Sequence, residues 1–211
     1  GERLTLRVNG EVAHSAPVAD RKDARNSEIE GRHSQAGGVA ATFAIDAQQS
    51  IEAGWTGGTE RRFYDTVSST KGGYRSTYDI DRSQAHVGWQ GRFEGWRGRV
   101  QAYRSEIDIV NSASNGVTAT RPQNLLDEVI DGHATVKLGG HQVTFGGEWR
   151  DETLTNAGLT TGRDSATHKA LFVQDEIALT HTLMLTAGLR ADNHQLFGSE
   201  LSPRAYLVWE A

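Results

Sequence analysis

The chain has 211 residues, a formal net charge of −5 and a pI near 5.9, an acidic balance that argues against general nucleic-acid binding. It has no cysteine, which excludes disulfides and thiolate metal sites. Only 36% of its residues are hydrophobic, its mean hydropathy is −0.54 and its longest apolar runs are a handful of residues, too short for a helix to span a bilayer; a barrel strand, which needs only about 9–11 residues with apolar side chains at alternate positions, is not excluded.

Period-two alternation runs through the whole chain. Leu4, Leu6, Val8, Gly10 and Val12 alternate with Thr5, Arg7, Asn9 and Glu11. Val39, Ala41, Phe43 and Ile45 form the next apolar row, followed by Ile51, Ala53 and Trp55. Ala85, Val87 and Trp89 oppose Gln84, His86 and Gln90; Trp96, Val100 and Ala102 oppose Arg97, Arg99, Gln101 and Tyr103. Ala134, Val136 and Leu138 oppose His133, Thr135 and Lys137, and Val143, Phe145 and Trp149 oppose Thr144, Glu148 and Arg150. Across Ala170–Leu179 both parities are rather apolar and the faces stay unassigned. Leu183, Leu185, Ala187 and Leu189 oppose Thr186, Arg190 and Asp192. Strand and turn signals give about ten strands and no helix. The 24 glycines and 3 prolines suit such a protein.

The connections alternate in length. Long polar segments lie near Ser15–Glu30, Glu60–Thr77, Asp108–Asn124, Glu152–Thr167 and Asn193–Leu201. Short turns lie near Ala47–Ser50, Phe93–Trp96, Gly139–His141 and Thr180–Leu183. Lengthening every second connection is the habit of outer-membrane barrels, with short periplasmic turns and long outer loops. Trp89, Trp96 and Trp149 are read as a girdle near the short-turn ends, against the plainer reading of core tryptophans in a soluble sheet. No catalytic constellation emerges: the 8 histidines are scattered and lack metal-ligand spacing. The pairs Gly37-Gly38, Gly57-Gly58, Gly72-Gly73 and Gly139-Gly140 have no phosphate-loop lysine and read as turn or strand-kink residues.

Three segments at hairpin distance carry a more specific signal. They are Ala170–Glu176 (Ala-Leu-Phe-Val-Gln-Asp-Glu), Leu183–Arg190 with Asp192, and Ser202–Trp209 (Ser-Pro-Arg-Ala-Tyr-Leu-Val-Trp). In this order they resemble the barrel of TonB-dependent outer-membrane receptors, the ferric-siderophore importers. Asn115-Gly116-Val117 with Thr120-Arg121-Pro122-Gln123, Asp131-Gly132-His133 and Gly146–Arg150 are similar to the branch containing the colicin I and ferric-enterobactin receptors. The likeness covers the chain in pattern and is specific in sequence over Asn111–Ala211.

The resemblance implies an all-β fold, an antiparallel up-and-down transmembrane β-barrel segment in the bacterial outer membrane. A complete receptor of the family has a plug, a TonB-contacting segment and a barrel of about 22 strands. Here no leader, plug or TonB box is seen, Glu210-Ala211 lacks a terminal aromatic, and residues 1–211 read as under half of a barrel wall. The implied activity is ferric siderophore uptake energised through TonB via the missing plug, with the lipid bilayer, and colicins or phage, as further partners. No catalytic residue, resident metal or cofactor is expected, the iron chelate being cargo. A passive porin and a small structural or adhesive barrel are the alternatives. For ligand, Arg61, Arg62, Tyr64, Tyr74 and Arg75 are the candidates, because guanidinium and aromatic groups on an outer loop suit an anionic aromatic chelate. Arg97, Arg99, Gln101 and Tyr103 are the candidate lumen-facing row, for guiding an anion or touching the plug, or simply as solvated wall.

Overall fold

The computed structural model describes residues 3–69, 72–116 and 122–210. Its strands are β1 (Leu4–Ser15), β2 (Val18–Ala19), β3 (Ser27–Ile29), β4 (Gly31–Ala44), β5 (Gln49–Ser68), β6 (Gly72–Phe93), β7 (Trp96–Ala113), β8 (Gln123–Leu138), β9 (His141–Asn156), β10 (Arg163–Ala178), β11 (Leu183–His194) and β12 (Gly198–Trp209). Ten of them form one antiparallel sheet in the order β1-β4-β5-β6-β7-β8-β9-β10-β11-β12; β2 and β3 pair separately. Each strand of the large sheet lies beside its neighbour in the chain, which is the up-and-down topology expected. The sheet is open: among the described residues β1 pairs only with β4 and β12 only with β11.

Register explains why the apolar rows work together. Leu6 pairs with Ala41, Ala41 with Ala53, Ala53 with Val87, Val87 with Ala102, Ala102 with Ile130, and Ile130 with Trp149. Paired residues point to the same side of a sheet, so the period-two rows of separate strands merge into one apolar face. Val39, Phe43, Val87, Val100, Val136, Phe145 and Leu185 lie on it, and Arg97, Arg99, Lys137 and Glu148 lie on the other. Among the described residues no other element packs on the apolar band of this face. Val8 is 81% exposed, Leu171 71% and Val100 49%, while among the described residues only Phe63, Ile80, Val129 and Ala170 are buried hydrophobics. An apolar surface of this extent needs an apolar solvent. Followed onward, the same row reaches Lys169, Asn193 and Ser199. It thus climbs from the apolar band at β1 to the polar rim at β12, the stagger that tilted barrel strands show.

The turns follow local chemistry. Gly139 adopts φ 63° at the first position of the Gly139-Gly140 turn, where a type II′ hairpin takes glycine. At Ile45–Gln48, Asp46 accepts the backbone N–H groups of Gln48 and Gln49, both at 2.8 Å. The bond from Gln48 is the main reason its carboxyl is held below the usual carboxylate range.

Three expectations are corrected. Glu60–Thr77 is a hairpin of strand rather than a loop, since β5 and β6 stay paired up to Ser68 and Gly72. The segment near Asn193–Leu201 is likewise mostly strand, because β11 and β12 stay paired up to His194 and Gly198. These extensions carry polar or aromatic side chains at most positions of both parities, which blurs alternation in the sequence while leaving backbone pairing intact. Trp149 is not near a short turn: it stands eight residues beyond His141, where β9 begins, and the apolar face turns polar at Asp151, the next position on it. Trp89 and Trp96 do lie near the Glu94-Gly95 turn, with Phe93 stacked on Trp96 at 4.5 Å between centroids. Ala170–Leu179, unassigned above, is resolved by register: Leu171 and Val173 share the apolar face with Phe145 and Leu189, and Phe172 points to the polar face against Gly146. Val117, Thr120, Arg121 and Ala211 lie outside the described residues.

Candidate functional site

The polar face divides into three zones. The first is basic and lies beside the Glu94-Gly95 turn. Arg92 pairs with Arg97, Arg97 with Thr135, and Arg99 with His133. Arg92, Arg97 and Lys137 line one cavity of about 390 Å³ together with Gln142. No ion pair among the described residues involves Arg92, Arg97, Arg99 or Lys137; Arg99 instead donates to the amide oxygen of Gln101. Gln101 in turn donates to Asp131 at 2.7 Å. Arg97, Arg99, Gln101 and Tyr103 share one face of β7, and Arg92 and Lys137 extend the basic part of their row.

The second zone is a compensated network across β8 to β11. Arg150 lies 3.9 Å from Asp127, 3.5 Å from Glu148 and 3.6 Å from Glu152. Glu148 meets His168 at 3.5 Å, His168 meets Asp192 at 3.0 Å, and Arg190 holds Asp192 at 2.9 Å. Tyr103 stands at its edge, paired with Val129, which is only 2% exposed.

The third zone lies on the inner side of the long β5–β6 hairpin. Glu60, 6% exposed, is surrounded by three guanidinium groups: Arg82 at 3.1 Å, Arg32 at 3.6 Å, and Arg62, which donates to its other oxygen. Farther out on the same face Tyr64 stacks on Tyr78 with centroids 6.4 Å apart. Tyr64, Tyr74 and Tyr78 line a cavity of about 370 Å³ with Ser76 and Asn111. The Tyr64 phenol beside it pushes Tyr78 above the ordinary phenolic range. The Tyr78 ring thus remains a neutral hydroxyl donor near neutral pH.

The five ligand candidates do not form one group. Arg62, Tyr64 and Tyr74 lie on the polar face, whereas Arg61 and Arg75 point to the opposite side of the hairpin. There Arg61 bonds Asp79 at 2.6 Å, and Arg75 bonds Asp65 at 2.8 Å and covers the Phe63 ring at 5.0 Å. The physical reason is the strand itself: in a paired hairpin, neighbours in sequence face opposite ways, a constraint that a loop does not impose. Arg32, Arg82 and Glu60 were missed because they converge from three strands; only an assigned register could have found them. The bond from Arg75 holds the Asp65 carboxyl below its usual range.

Residues 21–211 match the family described as TonB dependent receptor-like, beta-barrel. The chain belongs to the TonB-dependent receptor β-barrel family. Its relatives include the iron-regulated outer membrane virulence protein of Vibrio cholerae, 33% identical over 94 residues, and the ferric enterobactin receptor PirA of Pseudomonas aeruginosa, 35% identical over 80. These matches cover 43% and 29% of this chain, and only 14% and 11% of those proteins. In fold the chain is similar to a mutant ferric enterobactin receptor of P. aeruginosa solved with enterobactin, at TM-score 0.82 and 18% identity, covering 98% of this chain and 37% of that one. The siderophore receptor PirA of Acinetobacter baumannii gives TM-score 0.75 at 12% identity, with 99% and 36% covered. As a TonB-dependent receptor barrel the chain resides in the bacterial outer membrane. Its apolar face meets lipid and its polar face is the lumen wall.

The lipid band is visible on that outer face. Above Trp55, Ala85, Ala102 and Ile130 the outward positions become Arg61, Asp79, Arg104, Glu106 and Glu128. The tyrosine cavity and the Glu60 cluster lie on the inner side of this upper, water-exposed level. A side loop braces it: Ser27 accepts the N–H of Asp65 at 2.9 Å and Asn26 that of Val67 at 3.1 Å, capping the β5 edge beyond the end of β4.

Proposed function

We propose that this chain forms part of the wall of a receptor that imports a ferric siderophore across the outer membrane, driven by TonB acting on a plug inside the barrel. The observation that carries this reading is the family match over residues 21–211, joined to relatives named as ferric enterobactin and iron-regulated outer-membrane proteins. The upper lumen wall supports it chemically. Ferric catecholates are anionic and aromatic, and Tyr64, Tyr74, Tyr78 and Arg62 offer stacking surfaces, hydroxyl donors and a cation on one face. Arg61 and Arg75 drop out of that ligand set because they face away from it, where they bond Asp79 and Asp65.

The protein's part is transport rather than catalysis: it binds, orients and releases cargo and holds no resident cofactor. The tips of the long hairpins are the parts a colicin or phage would meet first. Because the chain spans a small share of its curated relatives, the test belongs to the intact receptor. Cells carrying it should take up radio-iron as a ferric catecholate under iron limitation, lose uptake on deletion of either receptor or TonB, and lose about tenfold in affinity on joint replacement of Tyr64, Tyr74 and Tyr78 by alanine. Uptake that continues without TonB would instead make the barrel a passive pore.

A further inference from the structure

We propose that Arg32, Arg62 and Arg82 form a binding site for a small multivalent oxyanion, with Glu60 as an exchangeable internal counter-ion. Arg32 and Arg62 are direct register partners on the lumen face of β4 and β5. Like charges placed opposite one another destabilise a strand pair unless an anion lies between them. Arg82 of β6, paired with Gly58 of β5, brings a third cation to the same carboxylate. Glu60 answers all three, accepting from Arg62 on one oxygen and meeting Arg82 and Arg32 with the other.

Arg32, Arg82 and Glu60 line a cavity of about 320 Å³ with Asn9, Ser34 and Gln84, and Glu11 borders it too. Counting both acids, three guanidinium groups face two carboxylates and one positive charge remains. The cavity floor is kept clear by Gly58: a Cβ there would lie 2.7 Å from the Gln35 carbonyl and 2.8 Å from the Ala36 Cβ. The arginine side chains are 44–48% exposed while the carboxylate they hold is 6% exposed. The forks can therefore turn from Glu60 to an incoming carboxylate or phosphate without uncovering apolar surface, making the bidentate contacts guanidinium favours. A carboxylate arm of the cargo and a free anion share this chemistry.

The test is calorimetric titration of citrate, and separately of inorganic phosphate, into the intact receptor in detergent at low ionic strength. Glu60→Gln removes the internal competitor and should bind citrate about fivefold tighter than the parent, whereas Arg32→Ala or Arg82→Ala should weaken binding about tenfold. Binding of citrate without phosphate assigns the site to carboxylate-bearing molecules; binding of both assigns it to oxyanions at large. Folding is read from heat-modifiable mobility in detergent gels. Should Glu60→Gln not fold, Arg82→Lys carries the test: it keeps the charge, loses the fork and should bind less tightly than the parent. Absence of binding in the parent overturns the site, as do unchanged affinities in folded Glu60→Gln or, where that variant fails, in Arg82→Lys. Uptake plays no part in these titrations, so they fail or succeed apart from the transport reading.

Discussion

Two stretches of the lumen wall carry the same kinds of side chain and use them in opposite ways. On β6 to β8, Arg92, Arg97, Arg99 and Lys137 face the lumen without a carboxylate partner among the described residues. On β8 to β11, one guanidinium, that of Arg150, is shared by Asp127, Glu148 and Glu152, and the network runs on through His168 and Asp192 to Arg190. The first stretch keeps its charge available to something that arrives; the second spends it on holding strands together. Even there compensation is incomplete, since Asp127 Oδ1 and Arg150 Nε are covered yet make no hydrogen bond and meet only as an ion pair. Similar composition therefore does not imply similar duty. What separates the two is whether register brings an acid opposite each base.

The largest test sets the back of the basic stretch against its front. Val100 lies on the lipid face of β7, half exposed in the middle of the apolar band, and Gln101 lies on the lumen face beside Asp131. Val100→Arg should cost about 2–4 kcal/mol in refolding titrations of the intact barrel in lipid, because a charge at that depth loses its hydration. Gln101→Arg should cost far less, since the new guanidinium finds Asp131 and lumen water. Equal costs would mean that the apolar face is not a lipid face.

Next in size is the comparison itself. Arg150→Ala should destabilise by about 2 kcal/mol, below the ~3–5 expected on breaking a fully buried pair because the Arg150 side chain is 32% exposed. The loss comes from three carboxylates left crowded without their shared cation. Arg97→Ala, with no partner to strand, should stay within about 0.5 kcal/mol. Denaturant midpoints of the two variants side by side decide the matter, and a costly Arg97→Ala would show that the basic stretch is structural too.

These contrasts were legible in the sequence only in part. The apolar face could be read because Leu4, Val87, Val100, Val136 and Leu185 each sit in a period-two row, and a row needs no partner to be recognised. The hairpin extensions could not, since Arg61 through Tyr64 and Tyr74 through Tyr78 are polar or aromatic at both parities and offer no amphipathic signal. That is why Arg61 and Arg75 were grouped with Arg62, Tyr64 and Tyr74 although they face away. Phe172 defeated the period for another reason: it points into the lumen and lies against Gly146, where an added Cβ would come within 2.8 Å of its ring. The charge clusters were hidden because their members are 50 residues apart, from Arg32 to Arg82, and meet only through hydrogen-bonded register.

The smallest expected effect is kinetic, and it asks whether the unpaired cations serve an arriving anion. Arg97, Arg99 and Lys137 make no ion pair among the described residues, so replacing all three by glutamine should change stability little while removing three positive charges from one side of the lumen. An unpaired cluster acts at a distance, raising the local concentration of an anion and hence its rate of passage. Such steering fades once the Debye length, about 10 Å at 0.1 M salt, falls to about 3 Å at 1 M. Uptake of a ferric catecholate by the triple variant should therefore be a few-fold slower than by the parent at low ionic strength, with the two rates converging as salt rises. The same substitution pattern in the compensated stretch should do the reverse, shifting denaturant midpoints and leaving the salt dependence of uptake unchanged. If the triple variant were slow at every salt concentration, the cations would be making a direct contact within the lumen rather than steering. If it were never slow, they would be solvated wall and nothing more.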